Sequence, residues 1–340
     1  MEFTRGLTQI IDGTDLSQEE MAAMITEIFS GNIADAQIGA FMAALAAKGE
    51  TYEELAGAAS AMRRKAVRIQ SLSPVTIDTC GTGGDGANTF NISTTSAFVL
   101  AGAGVTVAKH GNRSISSQCG SADVLETLGL NLDLDPEIVE EAVNDIGIGF
   151  MFAPRFHGSM RHAAQARKDC GIRSIFNMLG PLTNPAAASC QVLGVFAPEL
   201  TEMFAKALDH LGVKRAFVVH GHDGMDEITT TDLTRVTELD QGRIRTYDLN
   251  PTDFFEDFAD PADLAGGDAQ LNAAITQTVL SGEKGPKRDI ILINAAAGLT
   301  AAGKADSLRD GISLAAQTID SGKAMAKLNQ LIEFTQENAS

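Results

Sequence analysis

The sequence lacks tryptophan altogether, has only 4 cysteines in 340 residues, and contains no run of about 18 consecutive apolar residues that could span a membrane. The cysteines, Cys80, Cys119, Cys170 and Cys190, lie far apart and form no CxxC pair, which argues against a zinc site or a disulfide framework. The N-terminus lacks the apolar segment of a signal peptide. We therefore expect a soluble, cytoplasmic protein whose thiols are reduced and mostly structural.

Basic residues are scarce relative to acidic ones. The 26 Lys and Arg against 44 Asp and Glu give a net charge of −18. Such a charge, spread evenly, repels a polyanion, so nucleic acid is not expected as a partner. The cations concentrate in 109–113 and 155–173, and local clusters of this kind can still bind a small phosphorylated ligand.

The first 68 or so residues carry helical patterns and no convincing strand. Segments 17–20 and 51–54 both fit the capping box, in which a hydroxyl and a glutamate bond the free N–H groups of a helix start. Met21, Met24, Ile25 and Ile28 recur at helical spacing. Because a unit this small buries little apolar surface alone, this stripe predicts either a core or a self-association face.

From about residue 75, short β-rich runs alternate with helical segments, which indicates an α/β sheet with helices on its faces. The predicted strands are 75–79, 105–108, 191–196, 216–220 and 289–294. We expect a small N-terminal helical domain, 1–68, completed by helices from about 158–188, and a larger α/β domain, 69–340, with a central mixed, largely parallel sheet. Segment 250–267 reads as a long surface loop.

The segment after the first predicted strand, 81–85, reads GTGGD and has three glycines within four positions. Without a Cβ, the backbone can approach a ligand closely. Asn91, Ser93 and Thr94 follow at a predicted helix start, where free N–H groups and the helix dipole favour an anion. The pattern favours a phosphate site; an ordinary glycine turn before a capped helix is the alternative.

A second polar loop, KHGNRSISS at 109–117, follows the next predicted strand. Ligands in such sheets gather at the carboxyl ends of strands, so both loops should face one cleft. Two cations, an imidazole, an amide and three hydroxyls suit a phosphate-rich ligand, although a merely solvated loop would have a similar composition. The helix predicted from about residue 120 offers further N–H donors.

The third cluster, HGHDGMDE at 220–227, again follows a predicted strand. Asp226 and Glu227, with Asp223 nearby, are hard oxygen ligands suited to Mg²⁺, which takes one or two protein carboxylates plus substrate phosphates and water. The two histidines also suggest zinc, but four ligands with a closed geometry are not apparent. An acidic solvent loop without a metal is the third interpretation.

No Ser–His–acid or Cys–His nucleophile arrangement can be singled out from the spacing. His110 and His157 are expected to position or stack against a ligand rather than to act as bases. The loop GPLTNP at 180–185 has two prolines that fix φ, and it either walls a pocket or returns the chain to the sheet. Positioning and electrostatics are therefore the expected means of catalysis.

Taken together, these motifs resemble the anthranilate phosphoribosyltransferase family of tryptophan biosynthesis. The motifs that carry the resemblance are GTGGD at 81–85, NIST at 91–94, KHGNRSISS at 109–117, GSADVLETLG at 120–129, FAPRFHGSM at 152–160, GIRSIFNMLGPLTNPA at 171–186 and HGHDGMDE at 220–227. The helical front and GPKRDIILINAAAGL at 285–299 also look like the family. The resemblance implies a nucleoside phosphorylase/phosphoribosyltransferase-like fold, a homodimer formed through the helical domain, and transfer of a phosphoribosyl group from 5-phosphoribosyl 1-pyrophosphate to the amine of anthranilate.

The resemblance also implies the site residues. Those implied for phosphoribosyl pyrophosphate are Gly81, Gly84, Asp85, Thr89, Asn91, Ile92, Ser93, Thr94, Lys109, His110, Gly111, Asn112, Arg113, Ser114, Ile115, Ser116, Ser117 and Ser121. Those implied for anthranilate are Gly81, Asn112, Arg167, His110, His157 and Pro181. Ser93, Asp226 and Glu227 are implied to hold magnesium, as two ions. One departure from the family is Gly158, which stands where a proline often follows the histidine.

Two alternatives stay open from the sequence. A pyrimidine nucleoside phosphorylase shares the expected fold and a GTGG loop, but it uses inorganic phosphate and would not need Asp226 and Glu227. A catalytically silent relative that binds nucleic acid is the non-enzyme alternative, and the net charge of −18 opposes it.

Overall fold

The computed structural model describes residues 2–114 and 118–339. Ile115, Ser116 and Ser117, three predicted substrate-binding residues, lie outside the described residues. Within these two ranges, no helix is both long and apolar enough to cross a membrane.

The chain begins with four helices, α1 (Phe3–Ile11), α2 (Gln18–Phe29), α3 (Asp35–Lys48) and α4 (Tyr52–Lys65). Both predicted capping boxes form, at the starts of α2 and α4. The predicted methionine stripe is completely buried within the chain, against Phe41, Leu45 and Leu55 among others. The stripe is therefore core, and the helical character predicted for this region is confirmed.

The remaining helices are α5 (Ile92–Gly102), α6 (Ser121–Thr127), α7 (Pro136–Glu141), α8 (Ala153–Phe156), α9 (Arg161–Cys170), α10 (Ile175–Met178), α11 (Leu200–His210), α12 (Ala269–Leu280), α13 (Pro286–Ala301), α14 (Leu308–Asp320) and α15 (Lys323–Glu337). The strands are β1 (Thr76–Gly81), β2 (Thr106–Gly111), β3 (Ile148–Phe152), β4 (Cys190–Gly194), β5 (Arg215–Gly221), β6 (Thr234–Asp240) and β7 (Arg243–Leu249). Segment 250–267, predicted as a loop, contains two short 3₁₀ turns.

The strands form one seven-stranded sheet in the order β3-β2-β1-β4-β5-β6-β7. Strands β1 to β5 pair in parallel, and β6 and β7 add an antiparallel hairpin at one edge. The chain proceeds from β1 to one side and later returns to pair β4 on its other side. Ligand sites of open α/β sheets lie at such a reversal, beyond the carboxyl ends of the strands. The predicted mixed, largely parallel sheet is confirmed.

Alternate residues of the central strands enter different cores. Val192 and Val219 pack in a core with α5, α13 and α15, whereas Leu193 and Val218 pack in a core with the N-terminal helices and α11. Helices α9 and α10 contribute to this second core, with Phe176 as one member. The helical front thus shares its core with one face of the sheet, and the exact domain boundaries stay a prediction.

The strand predicted at 289–294 is wrong, because this segment lies within α13. Helix α13 packs against α5, α14 and strands β4 and β5, so it is apolar on nearly all sides. A short apolar run of this kind cannot be distinguished from a buried strand by its periodicity. Pro286 at the start of the helix was the signal for the correct assignment.

Three strands, β3, β6 and β7, were not predicted. The hairpin of β6 and β7 turns at Gln241 and Gly242, which both have positive φ, of 49° and 83°. Such two-residue turns usually carry Asn-Gly or Asp-Gly, so the Gln-Gly pair gives a weaker sequence signal. The outer strand β7 is also rich in partly exposed polar residues, which obscures its alternation.

The buried carboxylate of Glu54 joins three parts of the helical front. It accepts hydrogen bonds from the backbone N–H groups of Leu16 and Thr51, at 3.0 and 2.9 Å. It also accepts one from Nζ of Lys48 at 3.0 Å, and the Lys48 side chain is only 6% exposed. Removing the carboxylate would take away one hydrogen-bond acceptor from each of these three donors.

We expect Glu54→Ala to lower the free energy of unfolding by about 3 kcal/mol, because two backbone N–H groups lose their acceptor and Lys48 keeps only Asp15 and the carbonyl oxygen of Gly49 as partners among the described residues. Urea unfolding followed by circular dichroism measures the change. The neighbouring Glu53→Ala is the control, since Glu53 is exposed, and it should change stability by less than about 0.5 kcal/mol. Equal effects of the two variants would contradict the assignment.

Candidate active site

The loop after β1 and the turn after β5 meet at the carboxyl end of the sheet. The N–H of Gly83 donates to Oδ2 of Asp226 at 2.8 Å, across 143 positions of sequence. The N–H of Ser93, in the first turn of α5, donates to Oε1 of Glu227 at 3.0 Å. The strand order explains this meeting, because only β4 separates β1 from β5. Two of the predicted motifs therefore form one cleft.

Two glycines of this loop lie directly against side chains of other segments. A Cβ on Gly81 would lie 2.3 Å from Oδ2 of Asp226, and a Cβ on Gly84 would lie 2.5 Å from the guanidinium of Arg173. Gly84 also has a φ of +76°, which L side chains rarely adopt. The glycine pattern thus permits close contact with protein side chains as well as with a ligand.

Arg173 contacts the glycine loop but was not among the predicted site residues. Its Nη2 donates to the carbonyl oxygen of Gly84 at 3.1 Å, and its guanidinium lies 3.9 Å from the ring centroid of Phe196. Two sequence signals pointed to it: membership in the cationic segment 155–173 and in the family motif at 171–186. The structure therefore adds an exposed cation at the edge of the cleft.

Three carboxylates crowd the turn after β5. The backbone N–H of Asp226 donates to Oδ2 of Asp85 at 3.4 Å. Burial and the negative charge of Asp85 raise the pKa of Asp226 to about 7. Burial and the charge of Asp226 raise the pKa of Glu227 well above its ordinary value, although Lys109 opposes this shift. A cation bound beside these carboxylates would relieve their mutual repulsion.

The carboxylates do not make a complete metal site by themselves. In the part of the chain that the structure describes, no three His, Cys, Asp or Glu side chains are grouped to hold an ion. Mg²⁺ is commonly held by one or two carboxylates, with substrate phosphate oxygens and water completing its shell. Asp226 and Glu227, with the hydroxyl of Ser93 on the adjoining helix turn, fit that kind of site.

The two histidines of this turn are engaged elsewhere, which opposes the zinc interpretation. Nδ1 of His220 lies 2.7 Å from the carbonyl oxygen of Val195. Nε2 of His222 lies 3.3 Å from the carboxylate of Asp248 on β7. Among the described residues, neither ring is grouped with the carboxylates of the turn into a metal-ligating cluster.

Lys109 brings a cation from the end of β2 to the start of α5. Its Nζ donates to the carbonyl oxygen of Thr79 and lies 3.5 Å from Oγ of Ser93. Burial lowers the pKa of Lys109, and the negative charge of Asp78 opposes this shift. Asp78 is completely buried and accepts from the backbone N–H of His110 at 3.1 Å. Sequence reasoning missed Asp78, although a carboxylate inside an apolar strand was a signal for it.

His110 and His157 lie together, with ring centroids 4.9 Å apart. Burial lowers the pKa of His110 to about 3 and that of His157 to about 4. Both rings are therefore neutral near pH 7. Nδ1 of His110 lies 3.2 Å from the carbonyl oxygen of Gly180, and Gln191 donates to the carbonyl oxygen of Pro181 at 2.6 Å. The rigid loop is thus fixed beside the two imidazoles.

Comparison with known proteins identifies the family. Residues 6–66 match the helical bundle domain of the glycosyl transferase family, and residues 73–325 match its a/b domain. An anthranilate phosphoribosyltransferase of Desulfosudis oleivorans is 68% identical over 337 residues, 99% of each chain. One of Syntrophobacter fumaroxidans is 65% identical over 333 residues, 98% of this chain and 99% of the relative. The chain belongs to the anthranilate phosphoribosyltransferase family.

Solved structures of the family share this fold. The enzyme from Thermus thermophilus superposes with a TM-score of 0.92 at 42% identity, covering 97% of this chain and 99% of that one. The Saccharomyces cerevisiae enzyme in complex with PRPP and Mg has a TM-score of 0.90 at 29% identity, covering 98% of each chain. The resemblance read from the motifs and the predicted fold class are both confirmed.

Arg167, which the family resemblance implies for anthranilate, is half-buried on α9. Its guanidinium lies 5.8 Å from the ring centroid of Phe176. Burial lowers its pKa, and across residues 2–114 and 118–339 no carboxylate lies within ion-pair distance of it. A half-buried guanidinium of this kind is available to an anionic ligand.

Arg113, another residue implied by the family resemblance, has its charge largely compensated. Its guanidinium pairs with Asp123 at 3.0 Å and with Glu126 at 2.8 Å, and it lies 5.6 Å from the ring centroid of Phe152. The side chain therefore faces α6. Its part in binding a phosphorylated sugar stays a prediction.

The other predicted residues near these loops have mixed environments. The side chain of Asn91 donates to the carbonyl oxygen of Cys119 at 3.2 Å and accepts from Asn272 at 3.0 Å, so protein contacts already fix it. The hydroxyl of Ser121 donates to the carbonyl oxygen of Asn112 at 3.3 Å. Thr89 pairs with Ala265 in an isolated β-bridge, and the side chains of Ile92 and Thr94 are buried. The N–H of Ser114 donates to the carboxylate of Asp123, and a Cβ on Gly111 would lie 2.2 Å from Oγ of Ser121. Gly158 is exposed.

We expect the raised pKa of Asp226 to make stability depend on pH. The folded carboxyl titrates near pH 7, whereas the unfolded one titrates near its ordinary value of 3.8. The folded state holds the extra proton between these values, so stability falls as pH rises through the interval. Asp226→Asn removes this loss. The free energy of unfolding of the variant, relative to that of the wild type, should therefore increase by at least about 1 kcal/mol from about pH 5 to about pH 8.

Urea unfolding without divalent cations measures this gain at both pH values. Asp257→Asn is the control, because Asp257 is exposed. A difference between Asp226→Asn and the wild type that does not change with pH would contradict the raised pKa.

Proposed function

We propose that this chain transfers the phosphoribosyl group from 5-phosphoribosyl 1-pyrophosphate to the amine of anthranilate, giving N-(5-phosphoribosyl)anthranilate and pyrophosphate. This is the second step of the tryptophan branch. The observation that carries the proposal is the junction at which the glycine loop and the start of α5 bond Asp226 and Glu227. Relatives named for this activity support it, among them one that is 68% identical over 99% of the chain.

The phosphorylated sugar is proposed to lie between the glycine loop, the first turn of α5 and the loop after β2. Free N–H groups and the helix dipole of α5 favour its phosphate oxygens there. Lys109 supplies a buried cation beside Ser93. The residues assigned to phosphoribosyl pyrophosphate from the sequence lie within 81–94 and 109–117 and at Ser121. The yeast enzyme in complex with PRPP and Mg supports binding of this sugar together with magnesium.

Magnesium is proposed to be held by Ser93, Asp226 and Glu227, as two ions that bind with the substrate. When bound, Mg²⁺ neutralises negative charge that develops on the departing pyrophosphate. The protein's own part is to hold the carboxylates in place through the N–H groups of Gly83 and Ser93. The crowding that raises the pKa of Asp226 and Glu227 supports a cation at this point.

Anthranilate is proposed to bind near Gly81, His110, His157 and Pro181, with its carboxylate facing Arg167 and Asn112. An arylamine is neutral near pH 7, so its attack on C1 of the ribose needs no strong base. Neutral imidazoles agree with this chemistry, because they can pack against an aromatic ring. Holding the amine in line with C1 can contribute roughly 7–11 kcal/mol.

The proposal also includes a homodimer formed through the helical domain and a cytoplasmic location. The phosphorylase alternative gives no role to Asp226 and Glu227, and the nucleic-acid alternative is opposed by the net charge of −18. Neither is therefore proposed.

A fluorescence assay tests the function directly. Anthranilate fluorescence should disappear when phosphoribosyl pyrophosphate and Mg²⁺ are added to the enzyme. Asp226→Asn combined with Glu227→Gln should lower the rate at least about 100-fold, because the developing charge loses its counterion. The control is Glu256→Gln combined with Asp257→Asn, an adjacent acidic pair that is exposed.

The control pair should retain the wild-type rate. Full activity of the Asp226 and Glu227 variant at saturating Mg²⁺ would contradict the metal assignment. A wild-type chain that leaves anthranilate fluorescence unchanged, yet releases a base from a pyrimidine nucleoside with inorganic phosphate, would replace the proposed function by phosphorolysis.

We expect Arg167→Ala to raise the KM for anthranilate about tenfold or more, with a smaller effect on the KM for phosphoribosyl pyrophosphate. The variant loses a charge-assisted hydrogen bond to the carboxylate. Steady-state kinetics with each substrate varied in turn measures both constants. Lys168→Ala is the control on the same helix, since Lys168 is exposed, and an unchanged KM for anthranilate in Arg167→Ala would remove Arg167 from the site.

A further inference from the structure

Asn294 is a buried polar residue in the middle of the apolar helix α13. It is 2% exposed and is surrounded along the helix by buried Ile and Ala residues. Asparagine is a weak helix former, and burying its amide is costly unless the amide is hydrogen-bonded. A residue of this type at this position therefore needs partners.

The partners of Asn294 lie on the turn that carries the two proposed metal ligands. Oδ1 of Asn294 accepts from the N–H of Ile228 at 3.0 Å, and Nδ2 donates to the carbonyl oxygen of Ile228 at 2.8 Å. Nδ2 also donates to the carbonyl oxygen of Ile290 at 2.9 Å within its own helix. The side-chain amide thus bonds both backbone groups of Ile228, as a neighbouring strand would.

Ile228 directly follows Glu227, so this two-point contact fixes the backbone where the proposed ligands leave the chain. Strand β4 packs directly against the other side of this backbone segment. A Cβ on Gly194, at the end of β4, would lie 1.5 Å from the carbonyl oxygen of Asp226, so the two backbones are in close contact. Strand β4 therefore limits the segment from the sheet, while Asn294 fixes it from the helix layer.

The turn is also stabilised by hydrogen bonds to the side chain of Asp223, which do not involve Asn294. Asp223 accepts from the N–H of Met225 at 3.1 Å and from the hydroxyl of Thr229 at 2.6 Å. These bonds shape the turn internally but do not attach it to another element. The attachment to α13 comes through Asn294.

We propose that Asn294 is a positioning residue for the magnesium ligands, which sets the place of Glu227 and Asp226 by clamping Ile228 to α13. The inference rests on the proposed function. Groups that orient metal ligands from outside the coordination shell commonly change metal affinity 10- to 100-fold when removed. A purely structural asparagine would instead affect all ligands and the fold alike.

Binding of Mn²⁺ tests the proposal without turnover. Electron paramagnetic resonance follows free Mn²⁺ as it is titrated into the protein at saturating phosphoribosyl pyrophosphate, with no anthranilate present. We expect Asn294→Ala to raise the apparent Kd for Mn²⁺ at least about tenfold. In the activity assay, high Mg²⁺ should restore most of the turnover, and the KM for anthranilate should stay close to the wild-type value.

Thr300→Val is the matched control, because Thr300 lies on the same helix and its hydroxyl bonds only the carbonyl oxygen of Ala296 among the described residues. It should bind Mn²⁺ like the wild type. If Asn294→Ala does not fold, Asn294→Ser, which keeps a shorter polar group, is subjected to the same titration and the same criterion.

The outcomes separate the two proposals. If the wild type binds Mn²⁺ with the sugar and a folded Asn294 variant binds it equally well, the positioning role is overturned and the proposed function stands. The role is also overturned if affinity for Mn²⁺ and for anthranilate fall together in step with thermal stability. If the wild type binds no Mn²⁺ in the presence of the sugar, the proposed function fails and the positioning role with it.

Discussion

Two backbone N–H groups, those of Gly83 and Ser93, hold the carboxylates of Asp226 and Glu227 at the end of β1. The other features of the cleft are arranged around these bonds. A side chain at position 81 would displace the carboxylate of Asp226, because a Cβ there would lie 2.3 Å from its Oδ2. The strand order places β5 close enough to β1 for the bonds to form. A ligand at this junction meets backbone donors and carboxylates together.

The charge of the cleft differs from that of the chain as a whole. The protein carries −18, yet Lys109 is buried beside Ser93 and Arg173 bonds the glycine loop. Buried charges are costly unless they are paired or hydrogen-bonded. Lys109 is satisfied by backbone and hydroxyl oxygens, whereas the crowded carboxylates are left with raised pKa values. This imbalance is what a divalent cation would correct.

The motifs contain no evident catalytic base, and this agrees with the neutral state of the two histidines proposed to lie near anthranilate. Burial keeps His110 and His157 neutral, with pKa values of about 3 and about 4. Neutral rings beside a rigid loop can shape a pocket but exchange few protons near pH 7. The chemistry proposed for this chain depends on placing a neutral amine and on stabilising a leaving anion.

The sequence by itself determined the helical front, four of the strands, the polar loops and the family, because capping boxes, glycine loops and metal-type carboxylates are local patterns. It did not reveal the strands β3, β6 and β7, and it took part of α13 for a strand, because a helix buried on all sides has no polar face. Only the tertiary structure decided that Gly81 contacts Asp226, that Asp78 is buried beneath His110, and that Asn294 bonds Ile228. These contacts join residues that are distant in the chain, and their partners depend on strand order and layer packing, which no local pattern specifies.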